Sequence, residues 1–190
     1  MADGLIDVKI DGRMVKELEG YLQRFPDRAP GLAADALNRA GTAGRMAMVD
    51  RIAQTHFVEE SAVKKTVKIT TASASRLSVH IRSIGAVLRL GNFNVTQGLD
   101  RLVHVQILRG GAAKPWRHAF TGRMQNVTKG GKFAVYTRVG KERLPIKQEM
   151  GPAIPSMLHK EEDQAHVEFI AQGTFLDRLM RGFDLLEKSK

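Results

Sequence analysis

The stretch Pro30-Gly31-Leu32-Ala33-Ala34-Asp35-Ala36-Leu37-Asn38-Arg39-Ala40-Gly41-Thr42-Ala43-Gly44-Arg45-Met46-Ala47-Met48-Val49-Asp50-Arg51-Ile52 decides the first half of the fold. Leu32, Ala33, Ala36, Leu37, Ala40, Gly44, Ala47, Met48 and Ile52 recur every three or four residues, the period of one helix face. The spacing predicts a helix that opens at Pro30, where a missing N–H costs nothing, and runs toward His56. Its face is built largely of small residues. Each glycine costs a helix about 1 kcal/mol of propensity, so Gly41 and Gly44 imply a neighbouring element packed close to the backbone. Upstream, Asp11 suits an N-cap. Met14, Leu18, Tyr21 and Leu22 then form the apolar side of a shorter helix, which Pro26 ends. Further back, Ile6, Val8 and Ile10 alternate with Asp7 and Lys9, a short strand over 5–10.

Downstream, from residue 63, the period switches to two. Val67 and Ile69, then Leu77, Val79 and Ile81, then Leu88 and Leu90, then Val103, Val105 and Ile107, then Phe133 and Val135 each alternate with polar residues. Such alternation reads as strands with one buried face. Gly110-Gly111 and Lys129-Gly130-Gly131-Lys132 are turns. Prolines and glycines make 139–156 irregular. A long amphipathic helix follows, roughly from Ser156 to Lys188, with Leu158, Ala165, Phe169, Gly173, Leu176, Met180, Phe183 and Leu186 as its apolar stripe.

These 190 residues suit a single domain. The expected class is α+β: a mostly antiparallel sheet of about 4–6 strands, with N-terminal helices and a long C-terminal helix packed on one face. The parts are a helical segment over 1–60, the sheet over 61–138, a Pro/Gly-rich arm over 139–156 and the C-terminal helix over 157–190. No run of about 18 apolar residues is present, so no membrane partner is expected. The first residues lack the pattern of a secretory signal.

The net charge of +10 is unevenly placed. Residues 61–147 hold 17 Lys/Arg against only Asp100 and Glu142, while both flanks are slightly acidic. The strand pattern collects Lys68, Arg76, Arg82, Arg89, Lys132 and Arg138 on the face opposite the aliphatic one. A basic face of this kind fits nucleic acid or an acidic protein; its plain alternative is a solvated sheet surface.

Nothing in the sequence writes an active site. There is no cysteine, hence no thiolate metal site or cysteine nucleophile. The motifs for serine hydrolysis, zinc proteolysis, nucleotide phosphates and dinucleotides are missing, and Gly110–Lys114 lacks the Gly-Lys-Ser/Thr end of a phosphate loop. His159, Glu162 and His166 share a helix face, but the two histidines lie about 10 Å apart along the axis, too far for one ion. No catalytic residue, metal site or cofactor is expected, and the chain reads as a non-enzyme. Trp116, within Lys114-Pro115-Trp116-Arg117-His118, suits an interface anchor.

The most distinctive segment is Arg138-Val139-Gly140-Lys141-Glu142-Arg143-Leu144-Pro145-Ile146-Lys147-Gln148-Glu149-Met150-Gly151-Pro152-Ala153-Ile154-Pro155-Ser156-Met157-Leu158. Read physically, it is a stiff, extended arm with apolar anchors at Leu144, Ile146, Ile154 and Met157. It resembles the signature of the prophage minor tail protein Z family of long-tailed bacteriophages. The helix around Ala36-Leu37-Asn38-Arg39-Ala40, Val63-Lys64-Lys65 leading into Val67-Lys68-Ile69, the Ser75–Ser83 strand and the C-terminal helix agree in order with that family.

The resemblance implies a structural virion protein of the tail or neck, made in the bacterial host cytoplasm. It implies tail completion and head–tail joining as a sixfold homo-oligomeric ring. The implied partners are tail terminator, tail tube or head–tail connector proteins, and the basic face then fits an acidic neighbouring ring or DNA near the neck lumen. Arg143, Leu144, Pro145, Ile146, Gly151, Pro152, Ile154 and Pro155 carry over as interface or fold determinants. Ala153 stands where serine is common in the family. The alternative function is a nucleic-acid-binding module using the basic face.

Overall fold

Prolines punctuate the N-terminal half as expected. Helix α1 spans Gly12–Arg24 and α2 spans Ala29–Thr55, with Pro26 between them and Pro30 in the first turn of α2. The computed structural model describes residues 4–6, 12–83, 87–122, 134–158 and 160–188. Strand β1, Gly4–Ile6, is the described part of the first predicted strand. The Asp11 cap, the turn at 129–132, Lys132, Phe133 and His159 lie outside the described residues, as does the side chain of Met14.

The predicted α2 stripe is the buried one. Ala33, Ala36, Leu37, Ala40, Gly44, Ala47, Met48 and Ile52 are all buried. Against them lies α5, Glu161–Lys188. The two helices run antiparallel: Leu32 meets Gly182, Gly44 meets Ala171 and Val167, and Arg51 on α2 pairs with Asp163 in the first turn of α5 at 2.5 Å. A Cβ on Gly44 would stand 2.8 Å from Ile81 Cδ1 and 3.2 Å from Ala171 Cβ. Glycine here is what lets a helix and a strand approach one α2 turn together. The stripe is completed by Phe175, Leu179, Phe183 and Leu186, each almost fully buried and each worth about 1.5–3 kcal/mol of transfer free energy. Helix α1 closes this end. The Tyr21 ring stacks on Phe183 with centroids 3.7 Å apart, and its hydroxyl donates to Glu187 Oε1. Burial and the neighbouring carboxylate raise the pKa of the phenol.

The long C-terminal helix departs from expectation in its facing. Val167, Ala171, Phe175 and Leu179 form its buried ridge, whereas Ala165, Phe169, Gly173, Leu176 and Met180, expected in the core, are exposed. The reason is geometric. A ridge of residues four apart, small at Ala171 and larger at Phe175, fits the shallow Ala/Gly surface of α2.

The α+β class holds, with antiparallel pairing throughout the described strands. The strands divide into small sheets rather than one continuous sheet. Between α2 and β2, Val67–Thr70, sits a two-turn helix, α3, Glu60–Thr66, which is too short to show a period in the sequence. Strand β3, His80–Ser83, pairs with both β1 and β2. Leu77 and Val79, predicted to extend it, lie before it in an irregular stretch, half-buried against the α2–α5 core. That stretch is pinned where Asn38 exchanges two hydrogen bonds with Ala72, at 2.7 and 3.1 Å. Strand β4, Val87–Arg89, leads through a short 3-10 turn, Leu90–Asn92, into β5, Asn94–Gln97. Strands β5, β6 (Val103–Gln106) and β7 (Lys114–Trp116) form a second small sheet. Strands β8 (Ala119–Gly122), β9 (Ala134–Arg138) and β10 (Ile146–Gln148) form a third. Strand β11, Met150–Ala153, pairs with β4 alone.

The 139–156 segment is therefore not a free, irregular arm. Strand β10 pairs with β9, and Glu149 bridges onward, its N–H donating to Val135 O and its carbonyl accepting from Leu90 N–H. The register between β11 and β4 shifts between Met150 and Ala153, and this irregularity accommodates Pro152, which has no N–H to give a ladder. A single turn, α4, Ile154–Met157, then sinks Ile154 and Met157 into the core.

Candidate interaction surfaces

The six cations assigned to one basic face are not brought together. Lys68 on β2 and Arg82 on β3 are: they are directly opposite in register and both exposed, beside a second exposed pair, Thr70 and His80. Arg76 lies in the irregular stretch before β3, its guanidinium 3.5 Å from Thr71 O. Arg89 is half-buried on β4, in another sheet. Arg138, on β9, lies 5.3 Å from the centre of the Phe120 ring and donates to Arg143 O at 2.9 Å. Lys132 is outside the described residues. Dividing the strands among separate sheets is what scatters the set.

A concentration of positive charge that the strand alternation did not reveal lies beside Lys68. An open groove of about 710 Å³ is lined by Arg45, Ser61, Lys64, Lys65 and Lys68. Arg45 Nη2 donates to Lys64 O at 2.7 Å, while its Nε is buried and, among the described residues, finds no acceptor. Glu60 neutralises Lys64 at 3.0 Å. Adjacent Lys64 and Lys65 were the available sequence signal, but only α3 turns them toward Arg45.

The residues carried over from the family motif differ sharply in burial. Ile154 is fully buried and Gly151 is pressed on Phe93, where a Cβ would stand 2.5 Å from the ring. Ile154 is thus a fold determinant, not an interface anchor, because α4 carries it inward. Ile146, Pro152 and Pro155 are half-buried. Arg143, Leu144 and Pro145 form the exposed tip of the β9–β10 connection, where Leu144 is 67% exposed and the Leu144–Pro145 peptide is cis.

Trp116 is half-buried at the rim of an apolar pocket of about 260 Å³, which it lines with Val105, Ile107, Leu108 and Lys114. Several contacts tie this corner to α2 and to the β6–β7 connection. Arg109 donates its Nε–H to Ala53 O at 2.7 Å and lies over the Phe57 ring, and Gln106 donates to Gly111 O. Leu108 nevertheless stays half exposed.

The outer stripe of α5 is uncovered among the described residues: Phe169 at 72% exposure, Leu176 at 39% and Met180 at 47%. It lies roughly 140° around the helix from the buried ridge. The described residues leave it uncovered.

Among the described residues no three His, Asp or Glu side chains cluster as a metal site, and no helix is long and apolar enough to cross a membrane. Compared with known protein families, with curated proteins and with solved structures, the chain matches none.

Proposed function

We propose that this chain is a structural subunit of a long-tailed bacteriophage particle. It completes the head-proximal end of the tail and helps join tail to head as part of a homo-oligomeric ring, by surface complementarity and without catalysis. The observation that carries the reading is the uncovered Phe169–Met180 stripe on α5, on a helix whose other apolar side is already satisfied. The Arg138–Leu158 motif, with its resemblance to the minor tail protein Z family, supports the particular assignment. Its buried half shapes the fold and its Leu144 tip is offered outward. In a ring, one surface meets a different surface of the next copy, and the stripe, the tip and the Trp116 pocket supply unlike surfaces.

The test is sedimentation of the purified protein alone and with phage tails, together with a search for the chain in purified particles. Oligomers that join tails, and a chain present in particles, are the expected results. A protein that stays monomeric and never enters a particle overturns the reading.

A second reading is favoured by one observation, the direct opposition of Lys68 and Arg82 beside the Arg45–Lys65 groove. Together they set Lys65, Lys68 and Arg82 along one exposed stretch, an arrangement that suits the phosphates of a polyanion. The reading is a nucleic-acid-binding module, which also fits DNA passing a ring. It predicts duplex binding that falls steeply with salt; no duplex binding at low salt excludes it.

A further inference from the structure

The outer stripe of α5 has a definite electrostatic character. Glu162 lies one heptad before Phe169, and Asp184 lies one turn after Met180. The helix as a whole carries seven acidic and three basic side chains. Packing this face on the same face of a second copy in antiparallel fashion, Phe169 opposite Met180, sets Glu162 of one against the Asp184–Glu187 turn of the other, a like-charge contact. The stripe is therefore unsuited to a symmetric pairing with itself.

The pocket beside Trp116 has the opposite character. It is apolar inside, with Leu108 half exposed at its mouth, and residues 105–118 carry Arg109, Lys114 and Arg117 with no Asp or Glu. Its volume suits one or two side chains, such as a phenylalanine ring. An acid-flanked apolar ridge and a cation-flanked apolar hollow on the same molecule are complementary in both shape and charge.

We infer that the Phe169–Met180 stripe of α5 in one copy seats in the Leu108–Trp116 pocket of the next, a heterologous contact of this chain with itself. The inference rests on the self-assembling reading above and names the two surfaces that execute it. Because the stripe and the pocket are different patches, each bound copy presents a free stripe at one end and a free pocket at the other, so the contact propagates until a ring closes or a filament grows.

The two-patch geometry gives a test by mixing. Phe169→Asp spoils the stripe and leaves the pocket; Leu108→Asp spoils the pocket and leaves the stripe. Both positions are exposed, so both variants are expected to keep the wild-type circular dichroism and melting temperature. By analytical ultracentrifugation, wild type forms oligomers and each variant alone sediments as a monomer. An equimolar mixture forms a dimer and nothing larger, because one intact stripe meets one intact pocket. Glu162→Lys and Lys114→Glu, which leave the apolar atoms in place, each weaken assembly, and a chain carrying both recovers it. If wild type assembles and Phe169→Asp assembles equally well, or if the mixture stays monomeric, the inference falls while the self-assembling reading stands. If wild type itself is monomeric throughout, the inference falls, and the proposed function falls with it only if the chain is also missing from purified particles.

Discussion

Lys68 and Arg82 stand directly opposite each other on neighbouring antiparallel strands, with Ile69 opposite Ile81 one step along. The hydrophobic pair fixes the register, since a one-residue slip would bring Ile81, now 1% exposed, to the surface. The two cations must then share the outer face.

Lys68→Glu places a carboxylate directly opposite Arg82. It is expected to stabilise the fold by about 0.2–1 kcal/mol, seen as a higher melting temperature at low salt that converges on wild type as salt screens the pair. The same variant should bind polyanions less well. An unchanged or lower melting temperature at low salt contradicts the opposition.

Gly44→Val tests the closeness of α2 to its neighbours. The new Cβ alone would stand 2.8 Å from Ile81 and 3.2 Å from Ala171. Overpacking of this kind costs about 1–3 kcal/mol, which should appear in urea unfolding as a lower midpoint at unchanged slope. Gly31→Ala, at a glycine with open space around it, should not destabilise.

Leu144 and Ile154 belong to one sequence motif but are predicted to behave oppositely. Ile154→Ala empties a fully buried site and should cost about 2–5 kcal/mol. Leu144→Asp changes an exposed tip and should alter stability by less than about 0.5 kcal/mol. A loss on attachment to tails, with no loss in melting temperature, would assign Leu144 to an interface.

Asp100 organises the β5–β6 turn. Its carboxylate accepts from Leu102 N–H at 3.0 Å and lies 3.0 Å from His104 Nε2. The backbone N–H of Leu102, then His104, hold its pKa below the ordinary aspartate value. A depressed carboxyl stabilises the fold above its unfolded pKa of about 3.9, and that contribution is lost as pH falls through the lower folded value. Carboxyl titration by NMR should therefore show Asp100 protonating below pH 3.9. Asp100→Asn should flatten the acid limb of the stability curve. An Asp100 that titrates at or above the ordinary value contradicts the turn geometry.

Arg101 in the same turn has φ of 61°, a left-handed backbone that costs a side-chain-bearing residue about 1 kcal/mol. Arg101→Gly should recover part of that cost, measured by thermal unfolding in parallel with wild type.

Much of the helical frame was legible along the chain. Pro26 and Pro30 bound α1 and α2, because a ring that fixes φ and lacks an N–H acts whatever the surroundings. The α2 face was legible because nine positions repeat over six turns. Strands β2 and β6 were legible by alternation; β9 was located by it, but Ala134 and Tyr136, read as its polar side, are buried beside Val135. The elements missed, α3, α4, β5, β7, β8, β10 and β11, are each three to seven residues long, too short for a period to emerge and, at Pro115 and Pro152, interrupted by a residue that usually argues against a strand.

The candidate surfaces were less legible than the fold. Trp116 and Leu144 could be singled out by type and by motif. The Arg45–Lys68 groove could not, and the outer stripe of α5 was legible only as a core face, because both depend on which side of an element faces inward. Local backbone rules and composition settled, from residue order alone, where the main helices begin and end, that the strands pair antiparallel and that positive charge gathers between residues 61 and 147. Only the tertiary structure decided which of the two apolar stripes of α5 is buried, how the strands divide into sheets and which cations become neighbours. Those outcomes turn on contacts between residues far apart in sequence, chiefly the Ala/Gly face of α2 selecting the Val167–Leu179 ridge, and a one-dimensional pattern contains the two candidate stripes without the partner that chooses between them.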